Sequence, residues 1–230
     1  TLKNEDRQSG DFVYCFDAWG DQIVDFCKEV IEGQVILIGN SIGGVIALTA
    51  AKKLKSQCIG LILIDCAQRT MDDKRLHEQS YLMRLTRPFL KSITRQRWLS
   101  KALFRNAANP TVIKNILSKA YPSGKNIDDE LIRILHSPSQ RSGADEAFRG
   151  FINLFNDHLA PELMVGLETP VDLIWGANDP WEPLQLAEEW SSSFECIRSL
   201  SVIKGAGHCP HDEMPEEVNP VIQEIFQQAT

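Results

Sequence analysis

Ser41 is the residue of this sequence with the clearest potential for nucleophilic chemistry. It is the centre of a G-x-S-x-G pattern (GNSIG, residues 39–43) that follows an apolar run and precedes a helical pattern. A serine on a sharp strand-to-helix turn faces substrate, and the first N–H groups of the helix can stabilise an oxyanion. The pattern therefore predicts Ser41 as the nucleophile, the backbone N–H of Ile42 as an oxyanion donor and Asn40 as a pocket residue. The alternatives are a plain glycine-rich turn or a phosphate cradle, although no Walker lysine follows and no G-x-G-x-x-G is complete.

A serine nucleophile needs a base, and His208 is the best candidate among the five histidines. It ends the sequence GAGH, which follows the strand predicted at residues 198–203, and its small neighbours leave the imidazole unobstructed. His211 lies in the same segment and is the competing candidate. The remaining histidines are expected to be surface or packing residues: His77, His136 and His158.

The base needs an orienting carboxylate, and two aspartates are placed to provide it. Asp179 follows the apolar run at residues 171–175, within WGANDPW, and Asp65 follows the apolar run at residues 61–64. Since the carboxyl ends of parallel strands meet at one edge of a sheet, both could reach the base. The longer loop favours Asp179, with Trp181 beside the substrate, and leaves Asp65 as the alternative acid. This chemistry implies neither a metal nor an organic cofactor.

The elements around these residues alternate between strands and helices. Continuous apolar runs, typical of strands buried on both faces, occur at residues 35–38 and 61–64, and two further strands are predicted at residues 171–175 and 198–203. Amphipathic patterns predict helices at residues 16–32, 42–55, 184–190 and 216–228. This alternation predicts an α/β fold with a parallel sheet covered by helices on both faces.

Between the second and third of these strands lies a helical insertion, predicted at residues 69–165, so that residues 1–68 and 166–230 form the α/β core. Periodic patterns separated by proline and glycine predict helices at residues 81–93, 97–106, 110–120 and 128–135. The insertion is therefore expected to form a cap domain.

The chain has 230 residues and a formal net charge of −7, which argues against nucleic acid as a partner. The charge is uneven, because residues 69–149 contain 16 Lys and Arg against 8 Asp and Glu, a net charge of +8. Basic and apolar residues are interspersed in this segment: Arg84, Arg87, Lys91, Arg95, Arg97, Lys101 and Arg105, beside Leu82, Phe89, Leu90, Trp98, Leu103 and Phe104. The two interpretations are a solvated basic face over an ordinary apolar cap, and peripheral contact with an anionic membrane.

Three longer motifs resemble one branch of the α/β-hydrolase family, which contains the plant pheophytinases, the chlorophyll dephytylases and their cyanobacterial relatives. They are GNSIGG at residues 39–44, WGANDPWEP at residues 175–183 and GAGHCPHDEMPEEVNP at residues 205–220. The resemblance implies an α/β-hydrolase fold with a cap, a triad of Ser41, Asp179 and His208, and a small-molecule ester substrate, a phytylated chlorin. It also implies a location in the cytoplasm or at the thylakoid of a cyanobacterium, or alternatively in a chloroplast.

One departure from the branch precedes the nucleophile. Hydrolases of this kind place their first strands, and a loop with a second oxyanion donor, in a longer segment than the forty residues before Ser41. The departure predicts that the first strands of the sheet are missing and that the strand at residues 35–38 has an unpaired edge. Two other functions stay open on the same residues: a general carboxylesterase or carbon–carbon bond hydrolase, and an inactive fragment or binding protein.

Overall fold

The computed structural model describes residues 8, 9 and 12–229. Its strands are β1 (Gln8–Ser9), β2 (Phe12–Val13), β3 (Val35–Asn40), β4 (Cys58–Ile64), β5 (Val171–Gly176) and β6 (Ile197–Ile203). Its helices are α1 (Phe16–Val30), α2 (Ile42–Leu54), α3 (Tyr81–Arg95), α4 (Arg97–Ala107), α5 (Pro110–Ala120), α6 (Asp129–His136), α7 (Ala144–Ile152), α8 (Ala160–Met164), α9 (Leu184–Ser193), α10 (Pro210–Glu213) and α11 (Pro215–Ala229). The helices and strands predicted from the sequence are all present, whereas α7, α8 and α10 were not predicted.

The strands β3, β4, β5 and β6 form one parallel sheet in that order, and β1 pairs with β2 in a separate antiparallel pair. Because the four strands are parallel, their carboxyl ends lie at one edge of the sheet. The segments that follow them carry the candidate residues: Ser41, Asp65, Asp179 and His208. Within the described residues β3 is an edge strand, and Ile38 is 44% exposed, in line with the unpaired edge that the sequence predicts.

The sheet is buried on both faces. Leu61 and Leu63 project from one face of β4 and Ile62 and Ile64 from the other, and each is at most 2% exposed. Ile62 and Ile64 pack against α11, while α2 packs against β3 and β4. Burial of apolar side chains on both faces fixes the sheet, so its carboxyl edge is a rigid support for the loops that follow the strands.

The chain forms two compact units. A helical unit comprises the described residues up to Ala18 together with Arg69–Ile116 and Asp128–Asp157, and a sheet unit comprises Trp19–Gln68, Leu117–Ile127 and the described residues from His158 onward. The helical unit therefore coincides only in part with the predicted insertion, because residues 117–127 and 158–165 belong to the sheet unit. Within the described residues, no helix combines the length and the apolarity that crossing a membrane requires.

The helical unit does not present all of its predicted basic residues to solvent. Arg87 is 3% exposed, and both Arg87 and Lys91 pair with Asp73 and lie over the ring of Phe155. Two more of the basic residues pair with carboxylates of α7: Arg97 with Glu146 at 3.4 Å, and Lys101 with Asp145 at 3.2 Å. A solvated basic face therefore does not include Arg87, which is buried, and Lys91 is paired with Asp73.

Apolar side chains of α3 are exposed instead. Tyr81 is 79% exposed, Leu82 67%, Leu85 65% and Phe89 69%. Their spacing places them on one side of the helix, and we call these four residues the α3 apolar face. Trp98 of α4, at 70% exposed, adds an aromatic ring to the surface of the same unit.

Candidate active site

Ser41 lies in a strained turn between β3 and α2. Its backbone has φ 54° and ψ −123°, a region that residues other than glycine rarely adopt and that costs on the order of 1–3 kcal/mol. Its N–H donates to the carbonyl of Ile64 at 3.0 Å, and its own carbonyl accepts from the N–H of Ala67 at 3.0 Å. The neighbouring strand β4 and the segment after it therefore hold the turn in this conformation.

The glycines of the turn are not equivalent. A Cβ on Gly39 would lie 2.3 Å from the carbonyl oxygen of Gly43, and a Cβ on Gly44 would lie 2.6 Å from the Sγ of Cys66. A Cβ on Gly43 would meet nothing within 4 Å among the described residues. Close approach of the helix to the segments around it thus requires Gly39 and Gly44, but not Gly43.

The first N–H groups of α2 begin beside Ser41. Ile42 is the first residue of this helix, so its N–H has no acceptor within the helix itself. A carbonyl oxygen that turns negative beside Ser41 is the kind of acceptor that a helix N-terminus favours. Ile42, the predicted oxyanion donor, is thus the first residue of α2 and follows Ser41 directly.

Asp179 and His208 form a buried hydrogen-bonded pair. His208 Nδ1 lies 2.7 Å from Asp179 Oδ2, and the Asp179 side chain is 0% exposed. The other carboxylate oxygen accepts the N–H groups of Trp181 at 2.8 Å and Glu182 at 3.1 Å. Burial by itself would raise the pKa of Asp179, but the hydrogen bonds from His208 and from these two backbone N–H groups outweigh it and lower that pKa. Asp179 is therefore an ionised acceptor that orients the imidazole.

Asn40 connects the turn at Ser41, here called the serine turn, to the segment after β6 that carries His208, here called the histidine loop. Its side-chain amide donates to the carbonyl of Ile64 at 3.1 Å and to the carbonyl of His208 at 3.0 Å. Because Asn40 immediately precedes Ser41, this side chain joins the two segments that carry the nucleophile and the base. Asn40 was predicted as a pocket residue, and the structure shows its amide engaged by main-chain carbonyls.

Two further predicted residues lie around the imidazole. The Trp181 ring is 4.9 Å from the His208 ring, centroid to centroid, at an interplanar angle of 76°, and Trp181 is 41% exposed. The competing base His211 has a buried Nδ1 for which the described residues provide no hydrogen-bond partner, and burial lowers its pKa. Of these two histidines, only His208 therefore has a carboxylate within hydrogen-bond distance of Nδ1 among the described residues.

Asp65, the alternative acid, has a different environment. It is fully buried, its φ is 41°, and its Oδ1 accepts the N–H of Gly176 at 2.9 Å. The pKa of Asp65 is raised to about 10, chiefly by burial; the neighbouring carboxylates of Asp179 and Glu182 act in the same direction, and the Gly176 N–H acts against it. Asp65 is thus a neutral carboxylic acid, whereas Asp179 is the ionised hydrogen-bond partner of His208.

Replacement of Asp65 by asparagine is expected to stabilise the protein increasingly as pH rises. A carboxyl whose pKa is raised by folding contributes its stability below the unfolded pKa, here 3.8, and loses it as pH rises toward about 10. Asparagine has no proton to lose and retains an oxygen for the Gly176 N–H. Urea unfolding of both chains at about pH 5 and about pH 9 measures the difference. Asp21→Asn, at an exposed aspartate, is the control, and an Asp65→Asn advantage that stays constant with pH contradicts a neutral Asp65.

A sequence profile of the Alpha/beta hydrolase family matches residues 7–221. The chain belongs to the α/β-hydrolase family. Its parallel sheet with covering helices is the fold of that family. Ser41, Asp179 and His208 follow one another along the chain in the order serine, aspartate, histidine that hydrolases of this fold have.

Two curated relatives of this α/β-hydrolase are similar over most of the chain. Uncharacterized hydrolase YugF of Bacillus subtilis (strain 168) is 24% identical, over 96% of this chain and 76% of that protein. Chloroplastic pheophytinase of Arabidopsis thaliana is 27% identical, over 90% of this chain but 44% of that protein. Among solved structures, a thermophilic esterase from Thermogutta terrifontis superposes with a TM-score of 0.67 and 21% identity, covering 95% of this chain and 74% of that one. This structural likeness shows the fold.

Two glutamates beside the α/β-hydrolase site, the half-buried Glu182 and the buried Glu213, were not predicted. Glu182 Oε2 accepts the N–H of Gln68 at 2.8 Å, and the Glu182 carbonyl accepts Trp175 Nε1 at 2.8 Å. Glu213 is 0% exposed and accepts main-chain N–H groups beside the histidine loop. Both lie within the motifs at residues 175–183 and 205–220. An acidic residue inside such a motif, with no Lys or Arg next to it in sequence, was the signal that could have identified them.

Proposed function

We propose that this α/β-hydrolase is a serine hydrolase that cleaves a carboxylic ester through Ser41, His208 and Asp179. The observation that carries the proposal is the buried 2.7 Å hydrogen bond between His208 and an ionised Asp179, joined through Asn40 to the strained Ser41 turn. A histidine oriented in this way is a base for a serine hydroxyl, and a strained turn holds that hydroxyl in place.

The proposed reaction has two halves. Ser41 Oγ bonds to the ester carbonyl carbon while its proton passes to His208 Nε2, and the carbonyl oxygen becomes an oxyanion near the Ile42 N–H. The carbon–oxygen bond to the alcohol then breaks, and the alcohol leaves with the proton from His208. Water attacks the acyl-serine in the same way, gives its proton to His208, and releases the acid and the free Ser41 hydroxyl. Asp179 stabilises the imidazolium in both halves without taking up the proton.

For the substrate we propose a phytyl ester of a chlorophyll-type pigment. The support is the resemblance of residues 39–44, 175–183 and 205–220 to the pheophytinase branch, together with the 27% identity to a chloroplastic pheophytinase. A location at a thylakoid membrane, in a cyanobacterium or a chloroplast, belongs to the same proposal. A general carboxylesterase would use the same three residues on smaller esters.

A substrate panel tests the proposal. The purified 230-residue chain is incubated with a phytylated chlorin, the methyl ester of the same chlorin, and short-chain and long-chain p-nitrophenyl esters, beside Ser41→Ala. Release of phytol and free chlorin acid by the parent chain alone is the expected result. Hydrolysis restricted to short esters would indicate a general carboxylesterase. Pigment binding without turnover, equal in both chains, would indicate a binding protein.

We also propose that the α3 apolar face contacts an anionic membrane, which would bring the enzyme to a long-chain ester. The support is four exposed apolar side chains in a segment with a net charge of +8, a combination typical of interfacial contact. Because Arg87 and Lys91 are paired with Asp73 within the helical unit, we expect insertion of the apolar side chains to contribute most of the free energy of membrane binding.

Replacing Phe89 by serine is expected to weaken binding to anionic vesicles by about tenfold, since burial of one large apolar side chain contributes about 1.5–3 kcal/mol. Co-sedimentation with anionic and zwitterionic vesicles at low and high salt measures the affinity of each variant for the membrane. Phe26→Ser is the matched control, because Phe26 is 54% exposed and lies in the sheet unit. Equal effects of the two substitutions, or binding indifferent to lipid charge, would overturn the membrane contact.

A further inference from the structure

Glu213 is a buried carboxylate whose two oxygens both accept main-chain N–H groups. Oε2 accepts from Gly207 at 2.6 Å and Oε1 accepts from Ser123 at 2.8 Å, and the residue is 0% exposed. A carboxylate without hydrogen bonds is very costly to bury, whereas charge-assisted bonds to N–H groups are among the strongest in proteins. Glu213 is thus a strong, buried connection between two segments of main chain.

Glu213 connects the segment that contains Gly207 with the segment that contains Ser123, and these two segments meet at the main chain of His208. Gly207 immediately precedes His208, and the His208 N–H donates to the carbonyl of Ala120 at 2.8 Å. Next to Glu213, Asp212 accepts the Tyr121 hydroxyl at 2.7 Å. The segment around His208 is therefore connected to residues 120–123 directly at the His208 N–H and indirectly through the side chains of Asp212 and Glu213.

The glycine-rich start of the histidine loop has few side chains that could hold it in place by packing. Gly205 has φ 83°, and a Cβ on Gly207 would lie 2.2 Å from the carbonyl oxygen of Ala120. On the other side, a Cβ on Gly176 would lie 1.9 Å from the carbonyl oxygen of Gly207. The loop runs between two backbones with no room for side chains, and glycine is the most flexible residue type. Hydrogen bonds to its main chain must supply the rigidity that packing side chains supply elsewhere.

We propose that Glu213 is a positioning residue that fixes the main chain carrying His208 and so keeps the imidazole on Asp179. It acts through Gly207 and through residues 120–123, and it does not touch the reacting atoms. The assignment rests on the proposed function of His208 as the base. It also explains why residues 117–127 belong to the sheet unit: they form part of the support of the histidine loop.

The test substitutes Glu213 by glutamine, whose amide can accept one of the two N–H groups but presents a donor to the other. Displacement of a catalytic group by an ångström costs about 10²-fold, so kcat is expected to fall about 10²-fold with little change in KM. The His208–Asp179 hydrogen bond is observed directly as a far-downfield proton resonance, which is expected to broaden or disappear. Glu216→Gln is the matched control, because Glu216 is 56% exposed and pairs with Lys125 on the surface. In that control both kcat and the resonance are expected to match the parent.

A folded Glu213→Gln chain with an unchanged kcat and an unchanged resonance would overturn the proposal. Glu213→Asp, which keeps the charge but is too short to reach both donors, is the second variant, with an intermediate loss expected. Failure of both variants to fold would assign Glu213 a purely structural role and overturn the proposal as well. A parent chain that hydrolyses no ester refutes the proposed function, whereas the resonance still reports whether Glu213 positions His208.

Discussion

Substituting Ser41 by alanine is expected to lower ester turnover about 10⁶-fold, the cost of removing the nucleophile from a serine–histidine–aspartate site. The acyl-serine can no longer form, so any remaining rate reflects binding and the oxyanion donor alone. Turnover of a reactive p-nitrophenyl ester and covalent labelling by a fluorophosphonate, followed by intact mass, both measure the loss. Labelling of the alanine variant at the parent rate would contradict the assignment of Ser41.

The backbone of Ser41 adds a second expectation to the first. Alanine at φ 54° retains the strain of the turn, whereas glycine adopts this region freely. Ser41→Gly is therefore expected to be as inactive as Ser41→Ala but more stable by about 1 kcal/mol, which is the relief of strain less the entropy that glycine gains on unfolding. In a chain of this size, that difference raises Tm by about 2–4 °C. Equal Tm values for the two variants would mean that the turn stores no strain.

Asp179→Asn is expected to lower kcat about 10⁴-fold, because the amide cannot stabilise the imidazolium and favours the wrong tautomer of His208. Asp65→Asn is the matched control, an identical substitution at the neighbouring strand end. Since Asp65 is neutral and bonded to Gly176, we expect its kcat to stay within about tenfold of the parent, because an amide replaces a neutral carboxylic acid. Steady-state kinetics of both variants at the same pH decides between the two acids.

The opposite result is equally informative. If Asp65→Asn abolishes activity and Asp179→Asn does not, the acid role moves to Asp65, and the 2.7 Å contact of His208 with Asp179 is not used in catalysis. If both variants lose activity alike, the two carboxyls act as one unit and neither can be assigned alone.

The sequence predicted the sheet and the local motifs because both depend on neighbours in the chain. The four predicted strands correspond to β3, β4, β5 and β6. Only β4 begins well before its predicted start, because Cys58 and Gly60 are not typical strand residues. Helix α7 was missed because it begins after Gly143, at φ 84° and without a side-chain cap, so it has no recognisable start. The four-residue helix α10 is too short to produce a periodic pattern.

The parts of the site that the sequence could not predict depend on contacts between distant residues. Asn40 meets the carbonyl of His208 across 168 residues, and Glu213 meets Ser123 across 90. The choice between Asp179 and Asp65 was open for the same reason, since each follows a strand. Both side chains are buried, and their hydrogen bonds separate them. Bonds from His208 and two main-chain N–H groups keep Asp179 ionised, whereas the single N–H of Gly176 does not offset the burial of Asp65. The burial of Arg87 likewise follows from the position of Phe155, which the sequence does not place.

The position of β3 has a consequence for how the protein opens. Within the described residues this strand is hydrogen-bonded along one flank only, to β4, as β6 is to β5 at the other edge, while β4 and β5 are bonded along both flanks. Local unfolding begins where the fewest bonds must break, and in native-state hydrogen exchange such segments lose protection first. Detachment of β3 also releases the strain of the Ser41 turn, which lowers the free energy of that opening by about 1–3 kcal/mol. The amides of the nucleophile strand are thus expected to exchange before those of β4 and β5, and the strain at Ser41 favours the opening of β3 over that of the other edge strand, β6.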